Sequence, residues 1–123
     1  MPNDTEKKVT NANNFIGQVV NVTVDRPLNS KHPKFDWLYP LNYGFVAGTC
    51  SADGEEIDAY IIGANEPVES FVGQCIAVIH RTDDDDDKLV VVQDGSKLAD
   101  EEIRKATHFQ EQYFKSVIFR SNK

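Results

Sequence analysis

Basic patches, cysteine frameworks and long apolar runs are all missing from this chain. Only two of its 123 residues are cysteine, Cys50 and Cys75, which excludes a disulfide-built scaffold and a CxxC metal site. Both stand beside apolar stretches, so they read as small buried residues. No apolar run approaches the ~20 residues that a bilayer span needs. Residues 1–14 carry no apolar h-region, so no secretory signal is expected and the sequon Asn21-Val22-Thr23 carries no weight; the expected location is cytoplasmic, without a membrane partner. Bases are scarce too: 13 Lys and Arg stand against 20 Asp and Glu, for a net charge of −7. Residues 53–102 hold 15 of those acids and only Arg81, Lys88 and Lys97 as bases. That distribution argues against nucleic acid, which needs basic surface, and suits divalent cations, with bases from elsewhere meeting an anion that arrives with the metal.

What is present is an ordinary globular composition, 40% hydrophobic and 27% charged, long enough for one domain with one sizeable core. Residues 1–14 read as a flexible arm and 15–123 as a single domain. Ile16 to Val24 alternates, with Val20, Val22 and Val24 on one face and Asn21 and Thr23 on the other, a half-buried strand. Asp25-Arg26-Pro27 ends it, and Leu28 to Lys34 is a loop of turn formers and bases. Tyr43 to Thr49 and Ile57 to Ile62 follow as strands, then Cys75 to His80 and Leu89 to Val92 as an antiparallel pair around an acidic run. A helix is predicted from Glu101 to about Lys115, capped by Asp100, with Ile103, Ala106, Phe109, Gln110, Tyr113 and Val117 as its stripe toward the sheet. Short strands followed by one helix predict a mainly β, α+β fold: a small closed five-stranded, OB-like barrel with a C-terminal helix packed against it.

The chemistry concentrates in Tyr39-Pro-Leu-Asn-Tyr-Gly-Phe45 and in Asp53-Gly-Glu-Glu-Ile-Asp58. Carboxylates packed this closely repel one another unless water or a cation compensates them. A solvated turn explains a bare Asp-Gly-Glu-Glu as well as a site does, but Asp58 runs into an apolar strand, where an unpaired carboxylate is costly. The second acidic stretch, Asp83 to Asp87 followed by Lys88, reads on its own as a solvated hairpin tip.

Taken in order, these elements resemble the signature of the soluble family I inorganic pyrophosphatases: a Tyr-Pro start, an Asn-Tyr-Gly-aromatic core, and acid-Gly-acid-X-hydrophobic-Asp. Thr82-Asp83 and Asp86-Asp87-Lys88 before Leu89-Val-Val-Val92 resemble the family's second acidic cluster, and His108 to Tyr113 its C-terminal helix. The resemblance covers roughly residues 18–117. It implies a compact barrel and Mg²⁺-dependent hydrolysis of pyrophosphate, Mn²⁺ being a possible substitute. Asp53, Asp58 and Asp86 would hold the activating metal, and Asp83 with Asp86 a metal carried in with the substrate. Glu55 would orient the attacking water or take its proton. Lys88, Tyr43 and Tyr113 would hold phosphoryl oxygens, and Tyr39 would line the pocket. A homo-oligomer is expected as well.

The pattern is broken in three places. Glu55 stands where the family has aspartate, Phe114 where it has lysine, and the N-terminal lysine, glutamate and arginine of the family have no aligned counterpart. Charge and placement, rather than a motif, suggest Arg26 or Lys31 as replacement phosphate ligands. The alternative function is a pyrophosphatase-like module that binds metal or a nucleotide, with weak or different phosphoanhydride hydrolysis; a third reading, hydrolysis of nucleoside diphosphate derivatives, needs a base-stacking pocket that the sequence does not locate. His80 and Arg81, next to the acidic run, read as strand-end surface residues ahead of secondary substrate contacts, and Trp37 as packing.

Overall fold

A computed structural model of the chain describes residues 9–51, 54–84 and 86–121. Among the described residues six strands and one α-helix follow one another: β1 (Val19–Arg26), β2 (Asn42–Val46), β3 (Ile57–Ile61), β4 (Ser70–Arg81), β5 (Asp87–Val92), α1 (Asp100–Glu111) and β6 (Ser116–Phe119). The hydrogen-bonded order is β1-β2-β3-β5-β4-β6, and a further β1–β4 pairing closes the first five strands into a barrel. Closure is possible because β4, with 12 residues, is long enough to serve three partners. Its start pairs with β1, its middle with β5 and its end with β6. All neighbours run antiparallel except β3 and β5, which are parallel.

Period-two alternation sorts the strand side chains between two cores. Ile57, Ala59 and Ile61 of β3 and Leu89 and Val91 of β5 pack with Val20 and Val22 in one. Tyr60 and Val90, from the opposite faces of the same strands, pack with Tyr43, Ile79 and the helix residue Ile103 in the other. The helix is therefore a lid on one barrel face. Truncating Ile103, which is fully buried, to alanine would cost about 2–5 kcal/mol. Within the N-Y-G-F motif, Gly44 is set by sterics: a Cβ there would overlap the backbone carbonyl of Thr23 on β1.

Three expectations need correcting at the level of elements. Ala99, not Asp100, caps α1; the Glu102 carboxylate accepts from the Ala99 N–H at 2.9 Å, while Asp100 pairs with Arg120 at 2.9 Å. The helix ends at Glu111 rather than near Lys115, and the chain turns into β6, which lengthens the sheet beside β4. Ile103, Ala106 and Phe109 pack as the stripe requires, but Tyr113 and Val117 lie beyond the helix and are exposed. Of the stretch read as an arm, residues 1–8 lie outside the described residues. Thr10 hydrogen-bonds Cys50 in both directions, and Ala12 is buried in a 3-10 turn spanning Ala12–Phe15. Cys50 and Cys75 are both buried free thiols, and burial pushes Cys75 up to about 11. No helix among the described residues is long and apolar enough to cross a membrane.

Candidate active site

The parallel pairing of β3 with β5 places Asp58 directly across from Lys88. Lys88 Nζ donates to Asp58 Oδ2 at 2.7 Å and also lies 2.9 Å from Asp86 Oδ2. Tyr43, which neighbours Asp58 across the β2–β3 ladder, donates its hydroxyl to the same Asp58 oxygen at 2.7 Å. Burial alone would push the Lys88 ammonium toward neutrality, but Asp58 and Asp86 outweigh it and hold its pKa above the ordinary value. Burial, and then the negative charge of Asp58, raise the Tyr43 phenol well above its usual range. Tyr43 is thus a proton donor throughout the physiological range.

Asp58, Asp86 and Tyr43 border a cleft of about 340 Å³, and Lys88 lines the cavity next to it. Asp25, Glu55, Glu56, Asp58 and Asp86 all face it, opposed by Arg26. Asp25 and Arg26 reach the cleft because β1 is bulged there: Val24 pairs with Gly44 and Arg26 with Tyr43, leaving Asp25 as the extra residue. The Asp25 pKa is raised, first by burial, with Arg26 opposing and Asp58 reinforcing. Glu55 follows a turn in which Gly54 adopts φ 89° and the Glu55 carbonyl accepts from Ser51 N–H at 2.7 Å. Tyr39 is buried on the cleft wall, stacked on Tyr43.

The remaining proposed ligands are distributed unevenly. Asp53 lies outside the described residues. The carboxylate of Asp83 accepts the Lys115 N–H at 3.2 Å and does not line the cleft. Lys31 pairs with Asp36 at 3.5 Å on an exposed loop and does not line the cleft either. Tyr113 is exposed and stacked on Trp37, with ring centroids 6.0 Å apart, outside the acid cleft. The described aspartates of the acidic run have different partners. Asp83 faces Lys115, Asp84 accepts the Asp86 N–H, Asp86 meets Lys88, and Asp87 meets His80 at 2.7 Å.

Arg81 is a buried residue, correcting the surface role expected of it. Its guanidinium makes a two-pronged contact with Glu111, NH2 at 2.6 Å and Nε at 3.1 Å, and its NH1 lies 3.7 Å from Asp86. Tyr60 donates to Glu111 at 2.6 Å, and Gln110 donates to Tyr60 at 2.9 Å. One connected polar network therefore runs from Tyr60 through Glu111, Arg81, Asp86 and Lys88 to Asp58 and Tyr43. It fixes the acidic run to the helix end. Asp25, Gln110 and Glu111 were not singled out as site residues from the sequence. Only the bulge could have revealed Asp25, and Glu111 lies on a helix face with no motif of its own.

Among the described residues no group of three or more His, Cys, Asp or Glu side chains is drawn together as a metal cage. The cleft nevertheless suits a hard divalent cation: Asp25, Glu55, Glu56, Asp58 and Asp86 offer it carboxylate oxygens.

The family model for inorganic pyrophosphatase matches residues 2–119 of the chain. The inorganic pyrophosphatase of Aeropyrum pernix is 34% identical over 95 residues, covering 60% of this chain and 53% of the relative. That of Rickettsia conorii is 29% identical over 90 residues, covering 59% and 50%. The chain spans about half the length of the curated relatives it matches. Among solved structures, the inorganic pyrophosphatase of Ehrlichia chaffeensis superposes with a TM-score of 0.63 at 21% identity, covering 92% of this chain and 89% of that one. The Thermus thermophilus enzyme gives a TM-score of 0.61 at 18% identity, covering 94% and 88%. At such identities the superpositions bear on the fold alone.

Proposed function

Because the chain belongs to the inorganic pyrophosphatase family, we propose that it hydrolyses inorganic pyrophosphate to two phosphates with Mg²⁺ as its cofactor. The observation that supports this reading best is the pairing of Asp58 and Asp86 through Lys88 beside a cleft rich in carboxylates. A bound divalent cation supplies charge neutralisation for a phosphoanhydride and lowers the pKa of water. Asp53, Asp58 and Asp86 would hold it, with Asp83 and Asp86 serving a metal that enters with the substrate.

The side chains themselves orient and donate. Lys88 and Tyr43 converge on one oxygen of Asp58, so an ammonium and a phenol stand ready for phosphoryl oxygens next to the acid. The network from Arg81 and Glu111 keeps Asp86 in place while charge rearranges. Arg26, which also lines the cleft, would add a planar fork for phosphate, and Tyr39 lines the cleft beside it. Glu55 would take a proton from the attacking water, as a carboxylate near the reacting group can. Lys31, on its exposed loop, would contribute charge at longer range, and Tyr113 a phenol from the rim. Copies of the chain would assemble with one another.

Following pyrophosphate by ³¹P NMR tests the reading. Conversion to orthophosphate in Mg²⁺, halted by EDTA, is the expected result. The competing reading, a module that binds metal or nucleotide without efficient turnover, is favoured by Phe114, whose ring is covered by Arg81 at 3.7 Å where the resemblance asks for lysine. It requires pyrophosphate to survive the same conditions.

A further inference from the structure

A second cavity of about 290 Å³ opens beside the acid cleft, and Tyr43, Gln110 and His32 border both. Arg81 and Lys88, each paired with carboxylates, line this second cavity and bring cationic donors to the side that meets the acids. Apart from Gln110, its remaining wall is aromatic. Trp37 stacks on Phe35 with centroids 4.9 Å apart and planes 19° from parallel. Trp37 also lies 10° from parallel to Tyr113, with centroids 6.0 Å apart. The loop of residues 31–38 and the turn after α1 thus bring three near-parallel rings together. Two of them are largely open to solvent, Phe35 at 53% and Tyr113 at 63%.

Inorganic pyrophosphate has no apolar surface, and nothing in its chemistry calls for such a wall. A ligand with a planar ring at one end and phosphates at the other matches both halves. Open aromatic faces stack nucleobases irrespective of sequence, and a concave, mostly apolar pocket with a few cations orients the ligand. We propose that the pocket walled by Phe35, Trp37 and Tyr113 holds the base of a nucleoside diphosphate whose phosphoanhydride lies in the acid cleft. The inference rests on the hydrolytic reading of that cleft and extends its substrate class. In the reaction the oxygen of a water forms a bond to the terminal phosphorus, and the bond from that phosphorus to the bridging oxygen breaks. The bridging oxygen leaves on the nucleoside monophosphate, and the water's protons pass to the products and solvent. No redox partner is involved.

Trp37 is the single tryptophan of the chain, so its emission reports directly on the pocket. Titration of the full chain with ADP in Mg²⁺ is expected to change Trp37 emission saturably, while ADP is converted to AMP and phosphate. Phe35→Ala is expected to weaken ADP binding about tenfold or more relative to pyrophosphate, the scale of one lost base–aromatic stack. Emission unmoved by ADP in a protein that hydrolyses pyrophosphate overturns the inference and leaves the proposed function standing. Emission that follows protein concentration but not ADP means a second copy covers the rings, and overturns it too. Saturable, Phe35-dependent ADP binding by a protein inert toward pyrophosphate supports the pocket and removes pyrophosphate as substrate.

Discussion

Lys88 lies in register with Asp58 across the parallel β3–β5 pair, and its ammonium reaches Asp58 Oδ2 at 2.7 Å although 30 residues separate them. A one-residue slip of that register would turn Lys88 to the other face of the sheet, into the barrel core. The site is therefore a property of strand pairing as much as of the acidic motif.

Metal binding should appear first as stability. A cation that binds only the native state at a concentration of ~100 Kd stabilises it by about 2.7 kcal/mol. Mg²⁺ or Mn²⁺ is expected to raise the Tm, and Asp58→Asn to remove most of the rise. A melting curve indifferent to millimolar Mn²⁺ would contradict a shared carboxylate site.

The acidic run is expected to respond unequally to substitution. Asp86 is held by Lys88 at 2.9 Å, whereas Asp84 is 42% exposed at its side chain and caps the Asp86 N–H, a contact an amide oxygen can keep. Asp86→Asn should lower turnover and metal affinity, and Asp84→Asn should leave both close to wild type. Matching losses in steady-state assays of the two variants would return the run to a plain solvated tip.

Glu111 should matter for stability more than its position on a helix suggests. Its removal takes both close hydrogen bonds from the Arg81 guanidinium, whose side chain is 7% exposed and whose next carboxylate, Asp86, stands at 3.7 Å, and breaking such a buried pair costs about 3–5 kcal/mol. Urea denaturation of Glu111→Ala is expected to show a loss of that order. A loss under ~1 kcal/mol would mean that water replaces the carboxylate.

Gly44→Ala is expected to be worse than an ordinary core substitution. The added methyl group has a backbone carbonyl in its way rather than a flexible side chain, and overpacking typically costs about 1–3 kcal/mol, occasionally more. Poor soluble yield or a sharply lowered Tm is the expected readout, and a variant as stable as wild type would show that β1 can move aside.

Local alternation made most of the strands legible in the sequence. Val20 and Val22 face the core and Asn21 does not, as their spacing requires, and the valine run of β5 shows that it is buried on both faces. The fold and family likewise followed from Asn42 to Asp58 and Asp86 to Lys88. Contacts that depend on distant register were not legible. Asp25 enters the cleft through a bulge that only pairing with β2 reveals, and Arg81 is buried by a carboxylate 30 residues away. β6 was hidden because Tyr113 and Val117 continue the helical spacing past the turn that ends α1. The aromatic pocket depends on a loop and a post-helical turn meeting in space, which no local pattern encodes.

Orthophosphate release from pyrophosphate by the wild type and by Asp58→Asn, side by side in the same Mg²⁺, tests the central claim most directly. The wild type should release two phosphates per pyrophosphate, and Asp58→Asn should be slower by at least ~10²-fold, as expected when a group at the reacting centre is lost. Equal rates for the two proteins, or none from a folded wild type, would contradict it.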